Sequence, residues 1–307
     1  MPLEAVEKIW MNGELVDWDK AQVHVLTHAL HYGSGVFEGI RAYKTERGAA
    51  VFRLTDHIKR LARSAKLHYM ELPYSVDEWV AATKQVIVAN GLDACYIRPI
   101  AFRGYGEMGL YPLKAPVECA IAVWPWGAYL GEDGIKHGIR AKVSTIRSLD
   151  ANSITPAAKA CGQYLNSSLA KVEVTDAGYD EAVMLNSRGF VTQGSGENIF
   201  WVRNGLLTTP PLSAGLLEGI TRDTVMQMAA KLDIPVREAD TTRSDLHLAD
   251  EAFFTGTAAE VVPIRELDDH VIGGGEPGPV TRRIQEKFHK MVAGRDPEFA
   301  HFLEHVK

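Results

Sequence analysis

Lys159, in TPAAKACGQYLNS (155–167), carries an amine and is followed by small residues. Such an amine is a nucleophile only when deprotonated, a state favoured by burial and by neighbouring positive charge. A lysine taken alone in a helical context is usually a solvated surface residue, so its neighbours must decide. Further on, LLEGITRDTV (216–225) opens a helix at Gly219, Ile220 and Thr221. The free backbone N–H groups of that first turn, and the macrodipole behind them, suit a dianionic phosphate. Thr257, in the Gly-flanked turn GTAAE, offers a hydroxyl to the same kind of anion. His28 and His31 in HALHYG have a spacing open to a metal ion. No third ligand completes that set, and a hydrogen-bonded histidine is the commoner case, so no metal site is expected.

The elements that must position these groups can be read from pattern. Asn12-Gly13, between two short apolar stretches, predicts a β-hairpin because both residues tolerate positive φ. After the strand AVFRL, Thr55 is the expected cap of a helix with Ile58, Leu61, Ala62 and Ala65 on one face. Ser75 and Glu78 form an S-x-x-E capping box for a second helix, which Gly91 stops. ACYIRPIAF and VECAIAVW read as buried strands. IRAKVS, DEAVML, NIFWV and EAFFT (251–255) continue the β-structure, with helices from about Gln163 to Thr175, Ile220 to Leu232 and Val280 to Val292. The Gly-rich, polar stretch 125–138 is the expected boundary, giving a smaller domain over 1–124 and a larger one over 139–307. The mixed order of elements argues for two α+β domains with a cleft between them, and no G-x-G-x-x-G supports a dinucleotide site.

The chain has 307 residues, 46% of them hydrophobic and 23% charged, which is ample material for packed cores. A formal charge of −6, with no basic run, argues against a nucleic-acid partner. Three cysteines without CxxC spacing suggest neither a disulfide frame nor a zinc site, and a reducing, cytoplasmic setting is expected. Neither a signal peptide nor a membrane-spanning apolar run is apparent in the sequence.

TPAAKACGQYLNS, VTQGSGENIFWV (191–202), LLEGITRDTV and FFTGTAAEVVPI (253–264) resemble, in order and spacing, the signatures of fold-type IV pyridoxal-5′-phosphate (PLP) enzymes. HALHYGSGVFEGIRAY (28–43), YIRPIAFRG (96–104) and PWGAYLG (125–131) resemble the branched-chain aminotransferases within that group. The resemblance covers nearly the whole chain. It implies the two-domain α+β fold typified by D-amino-acid aminotransferase, with PLP as cofactor and a homodimer or higher homo-oligomer as the assembly.

By this resemblance Lys159 is the Schiff-base lysine, Tyr164 bonds the cofactor's ring oxygen, and Leu217 packs on the ring. The phosphate falls to Gly219, Ile220, Thr221, Thr257 and Arg60, while Arg63 suits the solvated helix face. Position 193 departs from the pattern. The family usually has a glutamate there to keep the pyridine nitrogen protonated, whereas Gln193 can hydrogen-bond that nitrogen without supplying charge. Glu197 matches a second carboxylate of the surrounding polar network. Tyr32, Phe37, Gly39, Tyr96, Trp126 and Tyr129 match the side-chain pocket, and Arg98 the arginine that holds a second carboxylate. The amides of Thr257 and Ala258 match the α-carboxylate site.

The implied activity is transamination between leucine, isoleucine or valine and 2-oxoglutarate. The substrates are expected to be held between domains and between subunits. The rivals are a D-amino-acid or R-amine aminotransferase, a PLP lyase of the same fold, and a catalytically weakened PLP-binding protein, for which Gln193 is the only hint.

Overall fold

The computed structural model describes residues 3–127, 131–150 and 152–307. In chain order the first elements are β1 (Lys8–Met11), β2 (Glu14–Asp17), α1 (His28–Tyr32), β3 (Gly35–Phe37), β4 (Ile40–Thr45), β5 (Gly48–Phe52), α2 (Leu54–Leu67), α3 (Val76–Ala89), β6 (Cys95–Arg103) and β7 (Val117–Trp124). Then come α4 (Gly131–His137), β8 (Ile139–Val143), α5 (Tyr164–Asp176), β9 (Glu181–Leu185), β10 (Val191–Gly194), β11 (Asn198–Arg203), β12 (Leu206–Thr209), α6 (Ile220–Lys231) and β13 (Val236–Glu238). The last are α7 (Arg243–His247), β14 (Glu251–Gly256), β15 (Glu260–Leu267), β16 (His270–Val271), α8 (Pro279–Val292) and β17 (Leu303–His305).

The chain divides into two compact units. The first contains the residues up to Trp126 together with Ala158–Gly162 and Met291–Lys307; the second contains Gly127–Ala157 and Gln163–Lys290. The C-terminal tail, grouped by sequence with the second domain, thus lies in the first, because β17 pairs antiparallel with β5. The stretch 125–138, read as a loop, includes helix α4.

Among the described residues the first unit holds an eight-stranded sheet in the order β17-β5-β4-β6-β7-β1-β2, with β3 also on β6. The β1–β2 hairpin turns at Asn12 and Gly13, both at positive φ as the dipeptide requires. β3 and β4 both pair with β6, at Phe37↔Ile100 and Ile40↔Ile97. The ladder breaks between them at Glu38 and Gly39, opposite Pro99, which has no N–H to donate and only accepts from the Glu38 N–H at 2.9 Å. Ile58 and Leu61 of α2 and Trp79 and Val86 of α3 are fully buried in the same core cluster as Ile97 and Val123.

Helix α3 begins with the expected Ser75/Glu78 capping box. Helix α2 does not begin at Thr55. Its N-cap is Arg53, in the left-handed region at φ 47°, while the Thr55 N–H and Oγ1 both donate to the Glu304 carboxylate at 2.7 and 2.9 Å. A distant acceptor has taken the groups that a local cap would have used.

The second unit holds nine strands among the described residues, in the order β10-β9-β8-β15-β14-β11-β12-β13, with β16 on β15. Phe254, Val262 and Ile199 are buried in its core, and the rings of Phe200 and Phe253 stack at 5.2 Å.

Candidate active site

In the first unit, Lys159 lies outside any helix. Its segment runs beside β3 as a one-bridge strand, Val36 against Ala160, and the Phe37 N–H donates to the Lys159 carbonyl at 3.0 Å. The Lys159 N–H donates to Ser64 Oγ on α2 at 3.0 Å. Both backbone groups are therefore fixed, and the half-buried side chain places Nζ 5.0 Å from the centre of the Phe37 ring. Arg98 lies over the same ring at 4.8 Å and donates to Tyr96 Oη at 3.1 Å. Tyr96 packs on Trp126, ring centres 5.0 Å apart. Gly39 completes the group, because a Cβ there would run into Tyr96 Oη. Lys159, Phe37, Gly39, Tyr96, Arg98 and Trp126 are thus brought together as one aromatic, cation-bearing surface.

Tyr32 does not join them; it ends α1, is 45% exposed, and packs on His28 at 4.6 Å. His28 engages Ser34 Oγ at 2.7 Å and the Gly109 carbonyl at 2.8 Å, and His31 the Val25 carbonyl at 3.0 Å. Tyr129 falls outside the described residues.

Arg60 is buried on α2, while Arg63 is exposed. Arg60 Nε and Nη2 donate to Glu38 Oε1 and Oε2 at 2.7 and 2.8 Å, and His57 Nδ1 meets the same carboxylate at 2.8 Å. Burial alone would raise the Glu38 pKa, but the charge and hydrogen bonds of Arg60, with the bond to His57, hold it well below the carboxylate range. Burial pushes His57 below its ordinary value, and Arg60 and Lys159 push the same way against the pull of Glu38. Pattern reading had no reason to select Glu38, His57 or Ser64. The one available signal was a polar triplet, His57, Arg60 and Ser64, at helical spacing on the buried face of α2.

In the second unit, Gly219 is the N-cap of α6 and brings no capping side chain to the first turn. A Cβ at Gly219 would run into Asn198 Oδ1, and Asn198 Nδ2 donates to the Leu217 carbonyl at 3.0 Å. Ile220 and Thr221 follow, buried, and Thr221 Oγ1 has no hydrogen-bond partner among the described residues. A buried hydroxyl without a partner is costly unless something fills the place, and a phosphate would. Gln193, on β10, follows a register slip between Val191 and Gln193 and accepts from the Leu217 N–H at 3.1 Å. Glu197 is buried and accepts from the Gly196 N–H at 3.1 Å. Thr257 and Ala258 form the half-buried turn between β14 and β15, and Tyr164 is the half-buried first residue of α5.

The model of the class IV amino-transferases matches residues 35–267, and the chain belongs to that family. Within it, the chain is similar to the branched-chain-amino-acid aminotransferase of Pseudomonas aeruginosa, 46% identical over 97% of both chains. The crystal structure of the Escherichia coli branched-chain amino acid aminotransferase superposes with a TM-score of 0.96 at 44% identity, covering 98% of this chain and 100% of that one. The branched-chain amino acid aminotransferase of Thermobaculum terrenum, solved in its PLP-form, gives 0.93 at 35% identity over 99% of both chains.

Proposed function

We propose that the protein transfers the amino group between branched-chain L-amino acids and 2-oxoglutarate, with PLP as cofactor and Lys159 as the lysine that carries it. The observation that carries this reading is the Phe37 ring, flanked by the Lys159 amine at 5.0 Å and the Arg98 guanidinium at 4.8 Å. A reactive amine therefore borders an aromatic wall suited to a branched aliphatic side chain, and that wall also carries a cation for a second carboxylate. The relatives' names agree with the branched-chain half of that pairing.

The residues fit the cofactor. Thr221 Oγ1 and the uncapped first turn of α6, with Thr257, would hold its phosphate; Arg60, which binds Glu38 through Nε and Nη2, is the arginine that the family resemblance assigns to the same phosphate. When bound, PLP supplies an aldehyde for the amino group and a ring that withdraws electrons. Lys159 Nζ would hold the cofactor and, once free, would carry the α-proton; Leu217, pinned at both N–H and carbonyl, keeps its side chain where a ring could lie on it. Tyr164 would bond the ring oxygen, and the Thr257 and Ala258 amides would hold the α-carboxylate.

A homodimer or higher oligomer is part of this reading. Val25, Leu30, Leu110 and Tyr111 of the first unit are 62 to 88% exposed, with Tyr32 beside His28, and a second copy would cover them. The test is a screen of cofactor absorbance against L-leucine, D-alanine and an R-amine. Rapid bleaching by L-leucine, restored by 2-oxoglutarate, is expected; reaction with D-alanine and none with L-leucine would overturn the reading.

A further inference from the structure

The Gln193 amide has a fixed orientation. A backbone N–H can only donate, so the Leu217 N–H, 3.1 Å away, must face Oε1 and not the side-chain NH2. The Leu217 peptide cannot swing away to relax this, since Asn198 Nδ2 holds its carbonyl at 3.0 Å. Gln193 is fixed from its own side as well. The register slip before it sends the Thr192 hydroxyl inward, against Ser148 Oγ at 2.6 Å and the Met184 carbonyl at 3.1 Å. After it, the Gly194 N–H donates to the Glu197 carbonyl at 2.7 Å. With Oε1 turned to the Leu217 N–H, the group that the amide presents on its opposite edge is a donor, Nε2–H.

A glutamate in this place would accept twice, from the Leu217 N–H with one oxygen and from a ring N–H with the other. Gln193 turns its NH2 to that second position, where one donor would stand against another. We infer that this protein binds the cofactor with its pyridine nitrogen unprotonated, as the acceptor of a hydrogen bond from Gln193 Nε2, and that the Leu217 N–H enforces this choice. The inference rests on the PLP reading above and on Gln193 facing the ring nitrogen, as the QGSGEN resemblance places it. Gln193 is then the residue that sets how strongly the ring withdraws electrons, and Leu217 is a positioning residue acting through its backbone. An unprotonated ring stabilises less negative charge at the α-carbon, so Lys159 removes the α-proton from a less activated substrate.

The experiment is 15N NMR of the holoenzyme reconstituted with PLP labelled at the ring nitrogen. The parent is expected to show a bound resonance in the region of neutral pyridine, and Gln193→Glu one moved upfield to the pyridinium region, with a faster half-reaction towards L-leucine. A pyridinium resonance from cofactor bound to the parent overturns the inference and leaves the PLP reading standing, as does a Gln193→Glu signal unmoved from the parent's. Failure of the labelled cofactor to bind at all overturns both.

Discussion

Arg60 meets Glu38 edge-on, Nε to Oε1 at 2.7 Å and Nη2 to Oε2 at 2.8 Å, with both side chains withdrawn from solvent. Removing one partner of such a pair leaves the other as an uncompensated buried charge, a loss of about 3–5 kcal/mol. Glu38→Ala should therefore destabilise the protein by that order and also weaken PLP binding, since the guanidinium loses its fixed edge. Denaturant unfolding and a PLP titration measure the two effects. A titration unchanged from the parent would separate Glu38 from the cofactor.

The same cluster predicts an acid-sensitive stability. Glu38 and His57 both have folded pKa values below their ordinary ones, so the unfolded chain binds more protons and stability falls with pH. The His57 contribution is complete above its ordinary value of 6.5 and is lost as pH drops from there through the lower folded value. The Glu38 contribution is complete above 4.5 and is lost as pH falls towards its depressed folded value. Unfolding free energy measured in steps from pH 7.5 down to about 2.5 should decline through the upper window and go on declining below 4.5. His57→Gln should flatten the upper one, and an unaltered slope there would show that His57 does not contribute.

Lys159→Ala should abolish turnover with the fold intact, because the segment is held by backbone bonds to Phe37 and Ser64 that do not involve the amine. Circular dichroism and steady-state assay check this together; turnover near the parent rate would remove Lys159 from its role.

Arg98→Ala should lower kcat/KM for 2-oxoglutarate and glutamate by ~10- to 100-fold, the worth of a charge-assisted hydrogen bond of ~1.5–3 kcal/mol, with leucine less affected. Arg98 Nε is buried without a hydrogen-bond partner among the described residues, which is consistent with an anion as its intended acceptor. Equal losses for both substrates would make Arg98 structural.

Gly219→Ala introduces a Cβ against Asn198 Oδ1 at a φ of −73° that any residue adopts, so the effect is one of contact and not of backbone strain. It should weaken PLP binding by roughly tenfold or more, an energy of ~1.4 kcal/mol, by loosening the Asn198 hold on Leu217 and the first turn of α6. Fluorescence titration with PLP would show it.

Much of this was legible in the sequence where the determinant is local. Asn12-Gly13 and Ser75/Glu78 each carry their own geometry, and the strands at ACYIRPIAF and VECAIAVW carry their own apolar runs. What escaped depends on partners far along the chain. Thr55 reads as a cap because its rival acceptor, Glu304, lies 249 residues away. Lys159 reads as helical because nothing nearby announces that Val36 will bridge to Ala160 and draw the segment into an extended form. Glu38 carries no signal of its own, since only the fold shows that the ladder breaks there beside Pro99 and that the carboxylate meets Arg60 on α2.

The pairing of β17 with β5 sets a timetable for the protein's birth. The eight-stranded sheet cannot finish one edge until Leu303–His305 have been made, for β5 waits on them. The 249 residues between Thr55 and Glu304 take roughly 10–50 s to synthesise at ordinary rates. For that interval a nascent chain carries β5 as an open strand edge beside a finished hairpin partner, the kind of surface that pairs with other chains. A chain cut short before Leu303 would hold every proposed cofactor residue and leave β5 as an unguarded edge, a surface prone to pairing with other chains.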